Sequence, residues 1–193
     1  MHALGLLPLV KVVWIRGDVS SNILPLDPRI LRQFRALDNV RQLMIDHLDI
    51  PPFMSSIRHD IGHFLPTVQH LSLREPKGSR REIIYFIGLF QHLNDLGLVY
   101  DVADLQEEPV GNPMLFPHFT PPLRGSLIVC FAGAGLLRDM ITLFGGLRFR
   151  HVTLFGVDGT RLLLDACAQT LETLQLDSAD PRGKDLPLSV GAS

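Results

Sequence analysis

The chain has little of what stabilises small secreted domains. Only two cysteines, Cys130 and Cys167, occur in 193 residues, too few for a disulfide framework and in keeping with a reducing compartment. Tryptophan occurs once and tyrosine twice beside 11 phenylalanines, and the basic stretch Arg74, Lys77, Arg80, Arg81 lacks the interleaved aromatics that a single-strand nucleic-acid platform would use. Neither sign of charge dominates: 18 Lys and Arg stand against 20 Asp and Glu, for a formal charge of -2. That balance argues against nucleic acid or an anionic membrane as a partner, since both need a basic field. Long apolar runs are lacking too. The most apolar stretch, Leu127 to Leu137, is 11 residues, against the roughly 20 of a membrane span. The start, Met1 to Val10, is apolar, but no Lys or Arg precedes it and Lys11 and Trp14 interrupt any cleavage site, so it does not read as a signal peptide. An intracellular location, cytoplasmic or nuclear, is expected.

What the chain does have is hydrophobic content and leucine. Hydrophobic residues make up 46% and charged residues 20%, so it folds, and its length suits one domain. Leucine fills 34 positions. That excess carries a repeat: apolar, two residues, apolar, two residues, apolar, one residue, apolar. It reads Leu37, Val40, Leu43, Ile45, then Leu65, Val68, Leu71, Leu73, then Phe90, Leu93, Leu96, Leu98. Taking the third apolar residue as anchor gives Val12, Leu43, Leu71, Leu96, Leu127, Val152 and Leu174, at intervals of 31, 28, 25, 31, 25 and 22. A leucine-rich repeat recurs every 20–29 residues or so. The copy at Leu127 is the poorest, with Arg124 where an apolar residue belongs.

Each copy predicts a short strand whose alternate side chains turn inward. Stacked copies give a parallel α/β sheet with an exposed face as the binding surface. The residues expected on that face are Gln42, Met44, His70, Ser72, Asp95, Ser126, His151, Thr153, Thr173 and Gln175. Between strands the sequence predicts helices over residues 28–37, 55–64 (with a Ser cap), 136–147 and 159–171, and a capping box at Ser79–Glu82 ahead of Ile83. Two stretches read as Pro-rich linkers, 48–53 and the longer 107–122.

Leu93-Asn94-Asp95-Leu96-Gly97-Leu98 and Leu171-Glu172-Thr173-Leu174-Gln175-Leu176, with helical crossovers of uneven length, resemble leucine-rich repeats of the ribonuclease-inhibitor-like kind. More narrowly, the segments 116–127 and 174–183 resemble the repeat region of F-box/leucine-rich-repeat proteins of mushroom-forming fungi. The resemblance implies a solenoid of about seven irregular repeats, 1–193, with strands on the concave side and helices on the convex side. It also implies noncatalytic protein recognition, as in substrate capture by an SCF-type ubiquitin ligase. Two departures stand out. The Asn or Cys usual about five residues after the anchor is replaced by Leu48, Pro76, Asp101, Ala132, Val157 and Ala179. The F-box has no counterpart, so the Skp-type adaptor is not an expected partner, and the protein partner is unknown.

The competing reading is an oxidoreductase. Leu127 to Arg138 runs a strand into Gly133-x-Gly135 and a helix, with Asp158 downstream, as in a dinucleotide-binding turn. Arg138 stands where the third glycine belongs, so the glycines are read as a tight turn and no cofactor is expected. His59 and His63 share a helix face at i, i+4, but the His-Glu-x-x-His form is absent and no further ligand follows, so no metal is expected. Arg74, Lys77, Arg80 and Arg81 read as a solvated cluster. Both cysteines read as core residues.

Overall fold

A computed structural model describes residues 9–17, 37–57, 65–100, 121–130, 134–156 and 159–177. The strands are β1 (Val12–Arg16), β2 (Gln42–Asp46), β3 (His70–Arg74), β4 (Asp95–Val99), β5 (Ser126–Cys130), β6 (His151–Phe155) and β7 (Thr173–Asp177). The described helices are α1 (Ile50–Ile57), α2 (Arg80–Ile87), α3 (Ala134–Leu143) and α4 (Thr160–Cys167). All seven strands are parallel and lie in sequence order, β1-β2-β3-β4-β5-β6-β7. The fold is therefore α/β, a single parallel sheet in which each strand pairs with its predecessor. The helices pack in the same order, α1 on α2, α2 on α3 and α3 on α4.

Register follows the hydrophobic pattern. Leu43, Leu71, Leu96, Leu127, Val152 and Leu174 are aligned across successive strands. Through Val152 these anchors are buried, as are the residues two further on, Ile45, Leu73, Leu98, Val129 and Leu154. Their side chains, with Phe86, Phe90, Leu136, Met140 and Leu163, form one continuous core. Two edge-to-face ring pairs extend it between helices, Phe53–Phe86 at 5.8 Å and Phe86–Phe90 at 5.3 Å.

One anchor and one flanking position of the repeat need correction. In β1, Val13 pairs with Leu43 and Ile15 with Ile45, so Val12 is not the anchor. Ile15 is buried while Val12 and Trp14 are exposed. Residues 12, 14 and 16 share one side of a strand, so turning Val12 and Trp14 inward would have turned Arg16 inward as well. In the fifth repeat, Leu123 is the buried residue and Arg124 is exposed. That repeat is one residue longer ahead of its anchor, and Leu123 takes a left-handed conformation (φ 42°) there.

The crossovers hold smaller surprises. α1 begins at Ile50, inside the stretch expected to be a linker, because Pro51 and Pro52 occupy its first turn, where a missing N–H costs no helical bond. Ser55 is then no cap; its hydroxyl donates back to the Pro51 carbonyl at 3.0 Å. The capping box is present: Ser79 accepts from the Glu82 N–H, and the Glu82 carboxylate accepts from the Ser79 N–H at 2.8 Å. α3 stops at Gly145 and Gly146, both at positive φ, with the Gly146 N–H on the Ile141 carbonyl at 2.8 Å. Most of the helix expected over 28–37, the loop 107–122, and His59 and His63 lie outside the described residues.

Protection should fall from the middle of the sheet toward its ends. Leu96 is 2% exposed and Leu9 is 71% exposed. In urea denaturation, Leu96→Ala should cost about 2–5 kcal/mol and Leu9→Ala under about 1 kcal/mol. Amide exchange should be slowest at Leu71 and Leu96 and fast near Val12. Uniform protection across the strands would contradict this gradient.

Candidate functional site

The sheet has a face opposite the one that the described helices cover, and all ten residues expected at a binding surface lie on it. Register places Gln42, His70, Asp95, Ser126, His151 and Thr173 in one row. A second row runs Met44, Ser72, Gly97, Ile128, Thr153, Gln175. Residues on strands β2 to β5 are half-buried by their neighbours, whereas His151, Thr173 and Gln175 are exposed. His70 and His151 stay apart, three strands from one another. The corrected register adds Val12 and Trp14 to this face, beside Gln42 and Met44.

The polar centre of the face is Asp95. Its Oδ2 lies 2.6 Å from His70 Nδ1, and its Oδ1 accepts from the Ser126 N–H at 2.5 Å. The backbone explains why an acid stands here. Two residues before each anchor is a carbonyl that accepts from two successive N–H groups of the next repeat. Arg41 and Gln42 donate to Lys11, Gln69 and His70 to Arg41, Asn94 and Asp95 to Gln69, Arg150 and His151 to Gly125, and Glu172 and Thr173 to Arg150. At the junction of β4 and β5 only Gly125 donates to the Asn94 carbonyl, at 3.1 Å. The Asp95 carboxylate takes the second N–H in the carbonyl's stead. Gly125 is part of this arrangement, because a Cβ there would collide with Asp95 Oδ1. With Nδ1 held by Asp95, His70 has Nε2 left for another partner.

A second polar cluster closes the C-terminal ends of β1, β2 and β3. Asp46 is buried, 3.8 Å from Arg16 Nε and 3.4 Å from His47 Nε2. His47 Nδ1 lies 2.7 Å from Glu75 Oε2. His47 and Glu75 both adopt left-handed backbone (φ 52° and 46°) and extend the ladder by one bond each, to the Arg74 and Val99 carbonyls. Beyond them Leu48 and Pro76 are buried, so apolar packing occupies the place where the repeat pattern has Asn or Cys.

Threonine performs a stapling role that the sequence signalled only by position. Thr67 and Thr170 each stand four residues before an anchor. Thr67 Oγ1 donates to the Asp38 or Val40 carbonyl (2.9 and 2.8 Å), and Thr170 Oγ1 to that of Phe149 or Cys167 (3.2 and 3.3 Å). Val40 and Phe149 occupy the same repeat position.

The glycine turn carries a packing explanation. Gly135 lies in the first turn of α3, and a Cβ there would run into the Arg80 guanidinium of α2. Arg80 Nε also faces Asp139 at 3.7 Å, so Arg80 is no solvated residue of a basic loop but a link between adjacent helices. The sequential strand order has no reversal, and the crevice at such a reversal is where open α/β sheets bind dinucleotides. Gly133 and Asp158 lie outside the described residues. Among the described residues no group of three or more His, Cys, Asp or Glu could hold a metal, and no helix is long and apolar enough to cross a membrane.

Both cysteines are buried and free. Burial pushes the Cys130 thiol up to about 11, opposed by the nearby Arg74 charge. Burial raises Cys167 as well, opposed by a backbone hydrogen bond at Phe149.

Two measurements follow from these contacts. Asp95→Ala should cost about 1–3 kcal/mol, the range for a half-buried donor losing its acceptor. Gly125→Ala should be much less damaging in the Asp95→Ala background than alone, a coupling that a double-mutant cycle in urea reads directly; simple additivity would sink the account. Native thiols should react slowly with a disulfide reagent at pH 8 and quickly in denaturant. Because Cys130 holds its proton more tightly when folded, its contribution to stability is full below about pH 9 and falls as pH rises toward 11. Urea midpoints across that window should decline, and less so for Cys130→Ala.

Compared with known proteins, the chain matches no family model, no curated protein and no solved structure.

Proposed function

We propose that this chain is an irregular leucine-rich-repeat solenoid of the ribonuclease-inhibitor-like kind, and that it is a noncatalytic protein-recognition module. Its contact surface is the uncovered sheet face. The observation that carries the reading is the alignment of Gln42, His70, Asp95, Ser126, His151 and Thr173 in a single row, with Met44, Ser72, Thr153 and Gln175 beside it. Six of those ten side chains are neutral hydrogen-bonding groups, and none is a Lys or Arg. A polar protein surface fits such a face better than a nucleic-acid backbone does. Parallel strands beside one another make a broad, pre-organised platform, the common use of a repeat array.

By analogy with the F-box family, the partner is the substrate of a ubiquitin ligase inside the cell. That step rests on the resemblance of the repeats and not on a site.

Substitution on the two sides of the sheet tests the reading. Ser72→Arg with Thr153→Arg should abolish capture of protein partners from cell extract at least about tenfold, with an unchanged melting curve. Arg161→Ala, an exposed change on α4, should leave capture intact. Capture that survives the double variant, or that depends on Arg161, would overturn the surface assignment. Millimolar NAD(H) or NADP(H) should leave the melting temperature unmoved, since a true binder gains stability by mass action.

A further inference from the structure

The two ends of the sheet differ from its middle in a way that selects a particular neighbour. Among the described residues, the strand order leaves one side of β1 and one side of β7 without a strand partner. At β7 the inward leucines are open, Leu174 at 38% and Leu176 at 62% exposure. At β1 the inward Ile15 is covered, and the exposed apolar side chains are Val12 and Trp14 of the outward face, at 51% and 60%. The counterparts of Leu174 and Leu176 on β2 to β6 are buried. Exposed apolar side chains beside an open strand edge form a template for another strand.

We propose that copies of this chain associate head to tail, the β1 edge of one continuing the parallel sheet past the β7 edge of the next. The occupant is chosen by charge in register. Continuing the existing alignment sets Val13 opposite Leu174, and therefore Lys11 opposite Glu172 and Arg16 opposite Asp177. Both positions already carry cross-strand ion pairs within the chain: Arg150–Glu172 at 3.7 Å two residues before the anchor, and Arg16–Asp46 at 3.8 Å three residues after it. A second copy extends each ladder with alternating sign, Arg150, Glu172, Lys11 in one and Asp177, Arg16, Asp46, Arg74 in the other. Trp14 then covers Gln175 on the outward face. Like edges lack this complementarity. Antiparallel pairing of like edges sets residues of the same face opposite one another, and Lys11 and Arg16, like Glu172 and Asp177, lie on opposite faces, so like edges build neither ladder. The contact is heterologous, so it builds open chains of molecules in preference to a closed dimer. It involves the sheet's ends and does not depend on the recognition role of its face.

Sedimentation velocity over a range from low to several hundred micromolar tests the proposal. The wild-type chain should form progressively larger species with rising concentration, and less so in high salt. Trp14→Lys and Leu176→Lys alter exposed side chains at opposite ends, so each should remain folded yet weaken association at least about tenfold. Mixed together they should give a one-to-one complex and nothing larger, because one usable β1 edge meets one usable β7 edge. Lys11→Glu with Arg16→Glu should also be monomeric. Adding Glu172→Lys and Asp177→Lys to that same chain should restore association through swapped charges. A wild-type chain monomeric throughout, single-end variants that associate as wild type does, or a mixture that forms no complex would each overturn the proposal. If a lysine variant lost its cooperative melt, the charge-swap series alone decides, and failure of restoration overturns it.

Discussion

The carbonyl two residues before each anchor is the contact on which the rest of the structure depends. It accepts from two successive N–H groups of the following repeat at five of the six junctions, and this fixes the strand that follows in both position and phase. Once phase is fixed, alternation of side chains decides which residues enter the core and which remain on the open face. The crossovers are then released from any common length. Closing a loop of 31 residues in place of 22 costs only a fraction of a kcal/mol in chain entropy, whereas a one-residue slip of register would turn every core leucine toward water. Uneven spacing and uniform pairing are thus compatible, and the irregularity of the sequence is confined to the helical side.

The one junction that departs from the rule is instructive. Between β4 and β5 an additional residue precedes the anchor, Leu123 takes up the slack in left-handed backbone, and the Ser126 N–H is left without its usual carbonyl. An unpaired N–H at a half-buried strand start is costly. Asp95 supplies the acceptor from the neighbouring strand, and Gly125 supplies the space. The crossover that feeds this junction is also among the longest, with 31 residues from anchor to anchor. Length variation in a repeat has a local consequence here, and a side chain absorbs it.

Much of this was legible in the sequence, and the exceptions have physical causes. Six anchors and the strand phase that follows from them could be read because aliphatic residues alternate with polar ones. β1 misled because Val12, Val13, Trp14 and Ile15 are all apolar, so alternation is silent and only Arg16 discriminates between the two phases. Arg124 misled because a fixed spacing from the anchor was assumed, when a left-handed Leu123 lets the buried residue sit one place earlier. Proline read as a linker at 51 and 52 because its effect depends on position, breaking a helix interior and suiting a first turn. Arg80 could not be assigned from sequence at all: its partners, Gly135 and Asp139, come from a helix some fifty residues on. The exposed face was legible as a set of residues, while the bonds within it were not.

Those bonds alter what the face can offer a partner. Asp95 was expected to be a contact residue, yet one oxygen holds the Ser126 N–H and the other holds His70. Its carboxylate is therefore engaged within the sheet, and its effect on a partner passes through the imidazole it orients. His70 is the group left facing outward, with its ring fixed and Nε2 available to give or accept a hydrogen bond. Fixing a side chain before contact lowers the entropy lost on binding. His151, three strands away and exposed, stands between Ser126 and Thr173 in the row, with no carboxylate beside it there. The centre of the face is thus rigid and directional, and its C-terminal side, toward Thr173 and Gln175, is adaptable. A partner anchored at the centre would find its geometry decided by His70 and its fit adjusted toward β7.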